Sequence, residues 1–203
     1  MSFYSISEYI KEFYPQYYGY ATYPKSECVT IHKVKEEWGV FCNFAKTPIE
    51  IDGVVFKSSE HLFQFMKFKD PAVVSNIMKG VTCKGKRCYE IKKTAKSYEK
   101  EFRREDWGSM IVDAMKFSLQ TKYEQCEEFR TMLKKSEGHY IVEDQSCFPK
   151  KNADAWGVKL IGEEYVGPNL LGRLLMELRE NGKLKYTLPD DAFEFISILK
   201  ECR

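Results

Sequence analysis

Histidine is scarce and cysteine is dispersed in this chain. His32, His61 and His139 are the three histidines in 203 residues, and the seven cysteines form no C-x-x-C pair. Even the nearest two, Cys83 and Cys88, have four residues between them. Zinc sites need clustered Cys and His at short spacing, so no metal is expected. An odd cysteine count without an apolar N-terminal signal region fits a reducing cytoplasm better than a disulfide scaffold, and a cytoplasmic location is expected. No apolar run approaches the roughly 18 residues of a membrane span, so the expectation is a soluble protein with no membrane role. Neither G-x-G-x-x-G nor a P-loop sequence is present, which removes the familiar nucleotide cradles, and no cofactor is expected. Internal repeats and low-complexity linkers are missing too.

What is present suffices for one substantial core. At 43% apolar and 15% aromatic content, the length predicts a single domain over residues 1–203. The net charge of +2 is too small to demand a nucleic-acid partner, but it is uneven. Lys79 to Arg104 holds ten Lys or Arg against three Glu, a balance of +7 that leaves −5 for the remainder. Such a run is either a solvated helix face or a surface that concentrates phosphate.

Local patterns predict short elements in an irregular order. FYSISEYIKEFYPQYYGYATYP reads as a short helix followed by an irregular aromatic cover, and ECVTIHKV as a strand. IEIDGVVF joins two apolar runs through Asp52-Gly53, which suits a type I′ hairpin. SSEHLFQFMKFKDP follows as a helix of about three turns, capped by Ser58 or Ser59 and stopped before Pro71. Two or three helices are expected from Pro71 to Leu133, a strand at HYIVED, and a loop at QSCFPKKNADAWG. GPNLLGRLLMELRENG places Leu171, Leu174, Leu175 and Leu178 on one helical face, with Asn169 as cap and Gly182 as stop. A last helix is expected from Asp190 or Asp191. Without regular βαβ alternation the fold class is α+β, mainly helical with a small β-sheet.

One helix is unusual. In SSEHLFQFMKF, Glu60, Gln64 and Lys67 stand at i, i+4 and i+7 on a single stripe, while Leu62, Phe65 and Met66 point elsewhere. That stripe is either a solvent face or the wall of a site.

In order along the chain, FCNFAKTPIEIDGVVFKSSEHLFQFMKF, DWGSMIVDAMKFSLQ, IVED, the pair Trp156-Gly157 and GPNLLGRLLMELR resemble the blocks of the NADAR family. Together they span roughly Trp38 to Arg179 and leave the N-terminal forty residues and the tail after Gly182 uncovered. The resemblance implies an α+β NADAR fold and N-glycosidase activity. Some members act on a phosphoribosylamino intermediate of riboflavin synthesis, and others remove ADP-ribose from modified guanine. It further implies that the SSEH helix lines a ribosyl pocket. Two departures stand out: the family's Asp three residues before the Trp is here Ala153, with Asp154 one residue later in a longer loop, and Lys159 replaces the second glycine of W-G-x-G.

Breaking a ribosyl C1–N bond builds oxocarbenium character at the sugar. A carboxylate near C1, a group to protonate or bind the leaving nitrogen, and cations for phosphate would serve it. Glu60 is the first candidate for the carboxylate, its alternative being an acid stabilised by the helix dipole. Lys67 or Lys116, desolvated by Phe68 or Phe117, is a candidate Schiff-base nucleophile, or else a solvated or ion-paired lysine. Glu143 orients water or ribose hydroxyls or is an edge-strand charge, and Asp154 is a further acid candidate. For binding, Asn43 and Phe44 would hold ribose and base, with Gln64 beside them on the stripe. Trp107, Trp156 and Gly157 are stacking-loop candidates, the tryptophans being core anchors otherwise, and Asn169 is a cap whose helix end offers N–H groups to phosphate. Lys86 and Arg87, with Lys84, are candidates for a diphosphate or nucleic-acid backbone. His61 points about 100° from Glu60 and reads as a satisfied structural histidine. The expected substrate is a ribosylated nucleotide or ADP-ribosylated DNA or RNA; the loop at Asp154 and the basic run favour ADP-ribose on guanine over a phosphoribosylamino-pyrimidine. A non-catalytic ADP-ribose sensor is the rival of a different class. Protein partners are not indicated.

Overall fold

The computed structural model describes residues 5–82 and 88–201, without the side chains of 80–82, 88 and 89. In chain order the elements are α1 (Ile6–Phe13), β1 (Ala21–Pro24), β2 (Cys28–Ile31), β3 (Ile49–Ile51), β4 (Val54–Phe56), α2 (Ser59–Phe65), α3 (Pro71–Thr82) and α4 (Cys88–Phe102). They continue with α5 (Trp107–Gln125), α6 (Glu127–Lys135), β5 (Tyr140–Glu143), β6 (Lys159–Ile161), β7 (Glu164–Gly167), α7 (Leu170–Asn181) and α8 (Glu194–Glu201). This is the expected α+β class, mainly helical. Among the described residues the strands form three small sheets: β1-β7-β6, antiparallel; β2-β5, parallel; and the β3–β4 hairpin. None of the described helices is long and apolar enough to cross a membrane.

The chain divides into two compact units, each built from two segments: Met1–Cys42 with Glu127–Leu184, and Asn43–Cys126 with Lys185–Arg203. In the first, α7 packs on β5, which pairs with β2. Tyr23, Val142, Val158 and Tyr165 form a small core there, with Met176 of α7 against it. Gly172 makes the approach of α7 feasible, since a Cβ at that position would lie 2.0 Å from the carbonyl oxygen of Ile141.

In the second unit α2 is central. All seven of its residues are buried, and it packs on α4, α5 and β4. A helix enclosed on every side presents no solvent face, so its polar side chains need partners inside the protein. Phe65 of α2 stacks on Phe195 of α8 with centroids 6.0 Å apart, and Phe56 of β4 meets both edge-on. The C-terminal tail thus supplies part of the core that holds α2.

Asp52 and Gly53 both have positive φ, 50° and 80°, as a type I′ turn requires. Ser58 caps α2 by accepting from the His61 N–H. The helix stops after two turns instead of three. Beyond it the Lys67 carbonyl accepts from Arg104 N–H at 2.9 Å and Phe68 bridges Arg103, so tertiary pairing ends the helix before Pro71 does. Among the described residues four helices occupy the stretch where two or three were expected, and β1, β6 and β7 were not anticipated. The last helix begins at Glu194, because Asp191 is engaged elsewhere.

That engagement is a carboxylate pair around one guanidinium. Arg104, 6% exposed, donates to Asp106 at 2.5 and 2.8 Å and to Asp191 at 2.6 Å, while Lys69 also pairs with Asp191. The hydrogen bonds from Arg104 hold the Asp106 carboxyl below its usual range, and Lys69 and then Arg104 do the same for Asp191. Folded pKa values below the unfolded ones mean that the unfolded chain binds more protons as pH falls. Stability is therefore expected to be flat above the ordinary carboxylate range and to drop as the pH passes through the depressed values. Urea midpoints measured between about pH 7 and pH 3 should show this limb, and Asp191→Asn should lower the neutral plateau and shrink the acid drop.

Candidate active site

The stripe foreseen on α2 is buried. Glu60 is 4% exposed, Gln64 1% and Lys67 7%. Gln64 Nε2 donates to Glu60 Oε1 at 2.8 Å, and Lys92 Nζ of α4 stands 3.5 Å from the same oxygen. Glu60 Oε2 receives no hydrogen bond from the described residues, and the side chain retains 5% exposure. A carboxylate accepts only, so the Gln64 amide must turn its NH2 toward Glu60 and its oxygen away. That oxygen is buried without a hydrogen-bond partner among the described residues. The site thus has one carboxylate oxygen fixed and one available, beside an acceptor that lacks a donor.

Lys67 lies just past the end of α2. Its ammonium is 2.5 Å from Glu99 Oε1 of α4 and lies over the rings of Phe63 and Trp107, at 5.4 and 5.6 Å. Burial lowers its pKa, and this outweighs the opposing pull of the Glu99 and Glu60 carboxylates. The expected desolvation is therefore present, but Phe63 and Trp107 supply rings instead of Phe68. Trp107, 2% exposed, meets Phe63 edge-on at 5.2 Å and is a core anchor, not a stacking platform.

Asn43 follows a 3-10 turn, Gly39–Phe41. Its carbonyl accepts from Glu60 N–H at 3.0 Å, its Oδ1 from the Ser59 hydroxyl at 3.1 Å, and its Nδ2 contacts Met115 Sδ at 3.3 Å. These bonds make it the brace of the first turn of α2. Phe44 remains half-buried with the Lys92 ammonium 5.4 Å from its ring centre. Lys116 is directed to the backbone, donating to the Lys185 carbonyl at 3.0 Å. Lys86 and Arg87 lie outside the described residues.

His61 departs from expectation. It is 1% exposed, as a structural histidine should be, but neither ring nitrogen has a hydrogen-bond partner among the described residues. Burial, helped by the charge of Lys57, pushes its pKa down to about 4, so the ring is neutral near neutral pH.

The remaining candidates belong to the first unit and form their own network. Gln145 Nε2 donates to Asp154 Oδ1 at 2.7 Å and to Glu143 Oε2 at 3.4 Å. Asp154 Oδ1 also accepts from Trp156 N–H at 2.9 Å, which folds the loop onto itself. Gly157 is there for packing, because a Cβ would sit 2.5 Å from the Glu143 carbonyl oxygen. Lys159 donates to the carbonyls of Gln145 and Phe148 at 2.5 and 2.7 Å and so ties down the long loop.

Asn169 occupies the cap position of α7 but makes no side-chain cap bond. Its φ is 52°, its amide donates to Ile141 O at 2.9 Å, and its Oδ1 accepts from Glu143 N–H at 3.2 Å. The N–H groups of Asn169, Leu170 and Leu171 bond to the carbonyls of Gly157, Ala155 and Trp156. These donors are spent within the fold, so the phosphate role expected of Asn169 is not supported by its surroundings.

Sequence reading missed Lys92, Glu99 and Gln145. Lys92 and Glu99 are seven residues apart and so share a face of α4, but their partners lie about thirty residues earlier and nothing in the local pattern marks that face as inward. Among the described residues, no three of His, Cys, Asp and Glu gather in a way that could hold a metal ion.

The profile of the NADAR domain matches residues 31–182. The N-glycosidase YbiA of Escherichia coli (strain K12) is 31% identical over 152 residues, covering 75% of this chain and 86% of that protein. A riboflavin biosynthesis protein of Vibrio vulnificus is 26% identical over 173 residues, covering 85% of this chain and 42% of that protein. The NMR structure of E. coli YbiA superposes with a TM-score of 0.57 at 29% identity, over 75% of this chain and 83% of that one. With a domain match that takes in both the α2 carboxylate cluster and the Trp156-Gly157 loop, and a relative whose sequence and fold match over three quarters of this chain, the chain belongs to the NADAR family.

Proposed function

We propose that the chain is an N-glycoside hydrolase that cleaves a ribosyl–nitrogen bond, with ADP-ribosylated guanine in nucleic acid as its substrate. The observation that carries this reading is the Glu60 carboxylate, buried and anchored through Oε1 while Oε2 is left without a bond from the described residues. As the C1–N bond lengthens, positive charge grows on C1 and the ring oxygen, and an enclosed carboxylate stabilises it more than one in water would. Glu60 Oε2 would face that charge or deprotonate the attacking water. The Gln64 carbonyl oxygen, lacking a donor, would accept from a ribose hydroxyl. Lys92, half exposed beside Glu60, is suited to a phosphate oxygen. The N-glycosidase name of the YbiA relative supports the reaction class.

The depressed pKa of Lys67 favours a second route through the same site. Its proton passes to Glu99, the freed amine adds to C1, and the C1–N bond breaks as the base nitrogen takes up a proton. Ring opening then gives an imine that water hydrolyses, releasing the sugar and restoring the amine.

For the substrate, the half-exposed Lys92 and the basic sequence run support an ADP-ribosyl group. The Vibrio relative's name supports the alternative, a phosphoribosylamino-pyrimidine of riboflavin synthesis. A sensor that binds ADP-ribose without turnover is the reading that complete absence of product would favour.

Incubation with an ADP-ribosylated guanine oligonucleotide should release ADP-ribose, and Glu60→Gln should lower the rate at least about a hundredfold while leaving the melting curve cooperative. An unchanged rate would remove Glu60 from the chemistry. Borohydride added during turnover should leave the protein mass unchanged if the carboxylate acts alone. A sugar adduct that disappears in Lys67→Met would establish the imine route.

A further inference from the structure

The N-terminal aromatic segment has no part in the chemistry above, and residues 5–30 precede the region matched by the family profile. It nevertheless forms a defined surface. Ile10 and Ser7 of α1, together with Tyr17, Tyr18, Tyr20 and Ala155, line a groove of about 430 Å³. That lies within the roughly 300–1,000 Å³ of small-molecule sites. Tyr18 and Tyr20 are 52% and 65% exposed, and Gly19 between them has φ of 119°, a conformation that L side chains rarely adopt.

The groove wall is firmly held. Arg173 donates to the carbonyls of Gln16 and Tyr17 at 2.9 Å each, and its guanidinium lies 5.5 Å from the Tyr17 ring centre. The Tyr17 hydroxyl donates to Glu177 Oε2 at 2.5 Å, so this carboxylate is engaged in the clamp. Charge along α1 is sorted as well. Lys11 follows Ser7 at i+4 on the groove side, and its ammonium is 5.8 Å from the Tyr18 ring centre. Glu8 and Glu12, each one residue further on, turn about 100° away, and Glu8 is bonded into the capping box of Ser5.

Exposed rings with a cation beside them suit a nucleobase and its phosphate, because every base has a π-face and stacking tolerates any sequence. Ala155 places the groove on the same loop as Asp154 and Trp156. We infer that the Tyr18–Tyr20 groove binds a nucleotide of a single-stranded nucleic acid, the base stacked on tyrosine and the phosphate near Lys11. The binding does not depend on the proposed function and is testable by itself.

Fluorescence anisotropy with a labelled twelve-nucleotide oligothymidylate measures binding without turnover. The double variant Tyr18→Ala/Tyr20→Ala should bind at least about tenfold more weakly, and Tyr18→Phe/Tyr20→Phe should restore affinity, since phenylalanine keeps the stacking face. Lys11→Ala should reduce the salt slope by about 0.7, the share of one phosphate on a single strand. Equal affinity of wild type and the alanine variant, or no binding by wild type, would overturn the inference. Tyrosine-dependent DNA binding by a protein that releases no ADP-ribose would leave the groove standing and remove the hydrolase.

Discussion

The second unit is organised around a charge that has been removed from water. A carboxylate as buried as Glu60 is costly unless it is paired and hydrogen-bonded, and its surroundings meet that need from one side only. Gln64 and Lys92 both address Oε1. The first turn of α2 adds the helix dipole, a favourable contribution of about 0.3–1 kcal/mol for an acid at that end. Asn43 and Ser59 brace that turn, and the Phe56, Phe65 and Phe195 rings fix the rest of the helix. The result is a carboxylate whose position is set by the fold and whose second oxygen is not consumed by it. Such preorganisation is what charge stabilisation in a transition state requires.

Lys67 extends the same logic to a cation. It is desolvated by Phe63 and Trp107 and paired to Glu99, so two opposing effects act on one ammonium and burial prevails. On α2, Gln64 keeps a buried oxygen and His61 two buried nitrogens without hydrogen-bond partners among the described residues. Each such atom costs on the order of 1–3 kcal/mol. Polar groups left unsatisfied beside a catalytic candidate are a recurrent signature of functional sites, where local stability is traded for chemistry.

How much of this was legible follows from where each signal lies. The SSEHLFQFMKF stripe could be read because helical spacing is local, and the Asp52-Gly53 hairpin because its turn chemistry is contained in two residues. Lys92 and Glu99 were not legible: their sequence face resembles a solvated one, and only packing of α4 on α2 turns it inward. Asn169 misled for a related reason. An Asn before a leucine-rich run predicts a cap, yet close approach of Gly172 to Ile141 draws the amide onto β5 instead. The strands β1, β6 and β7 are three or four residues long, too short for alternation to stand out. At Lys159, where the family pattern has glycine, the structure supplies a reason that sequence alone lacked: the side chain reaches two carbonyls of a loop that is itself longer.

The most direct test of the central claim is a crystal structure of the Glu60→Gln variant with uncleaved ADP-ribosylated guanosine monophosphate bound. The side chain at position 60 should lie within about 3.5 Å of the anomeric carbon or of a water aligned with it, as a reacting geometry demands. A nucleotide bound with its anomeric carbon remote from α2 would contradict the account.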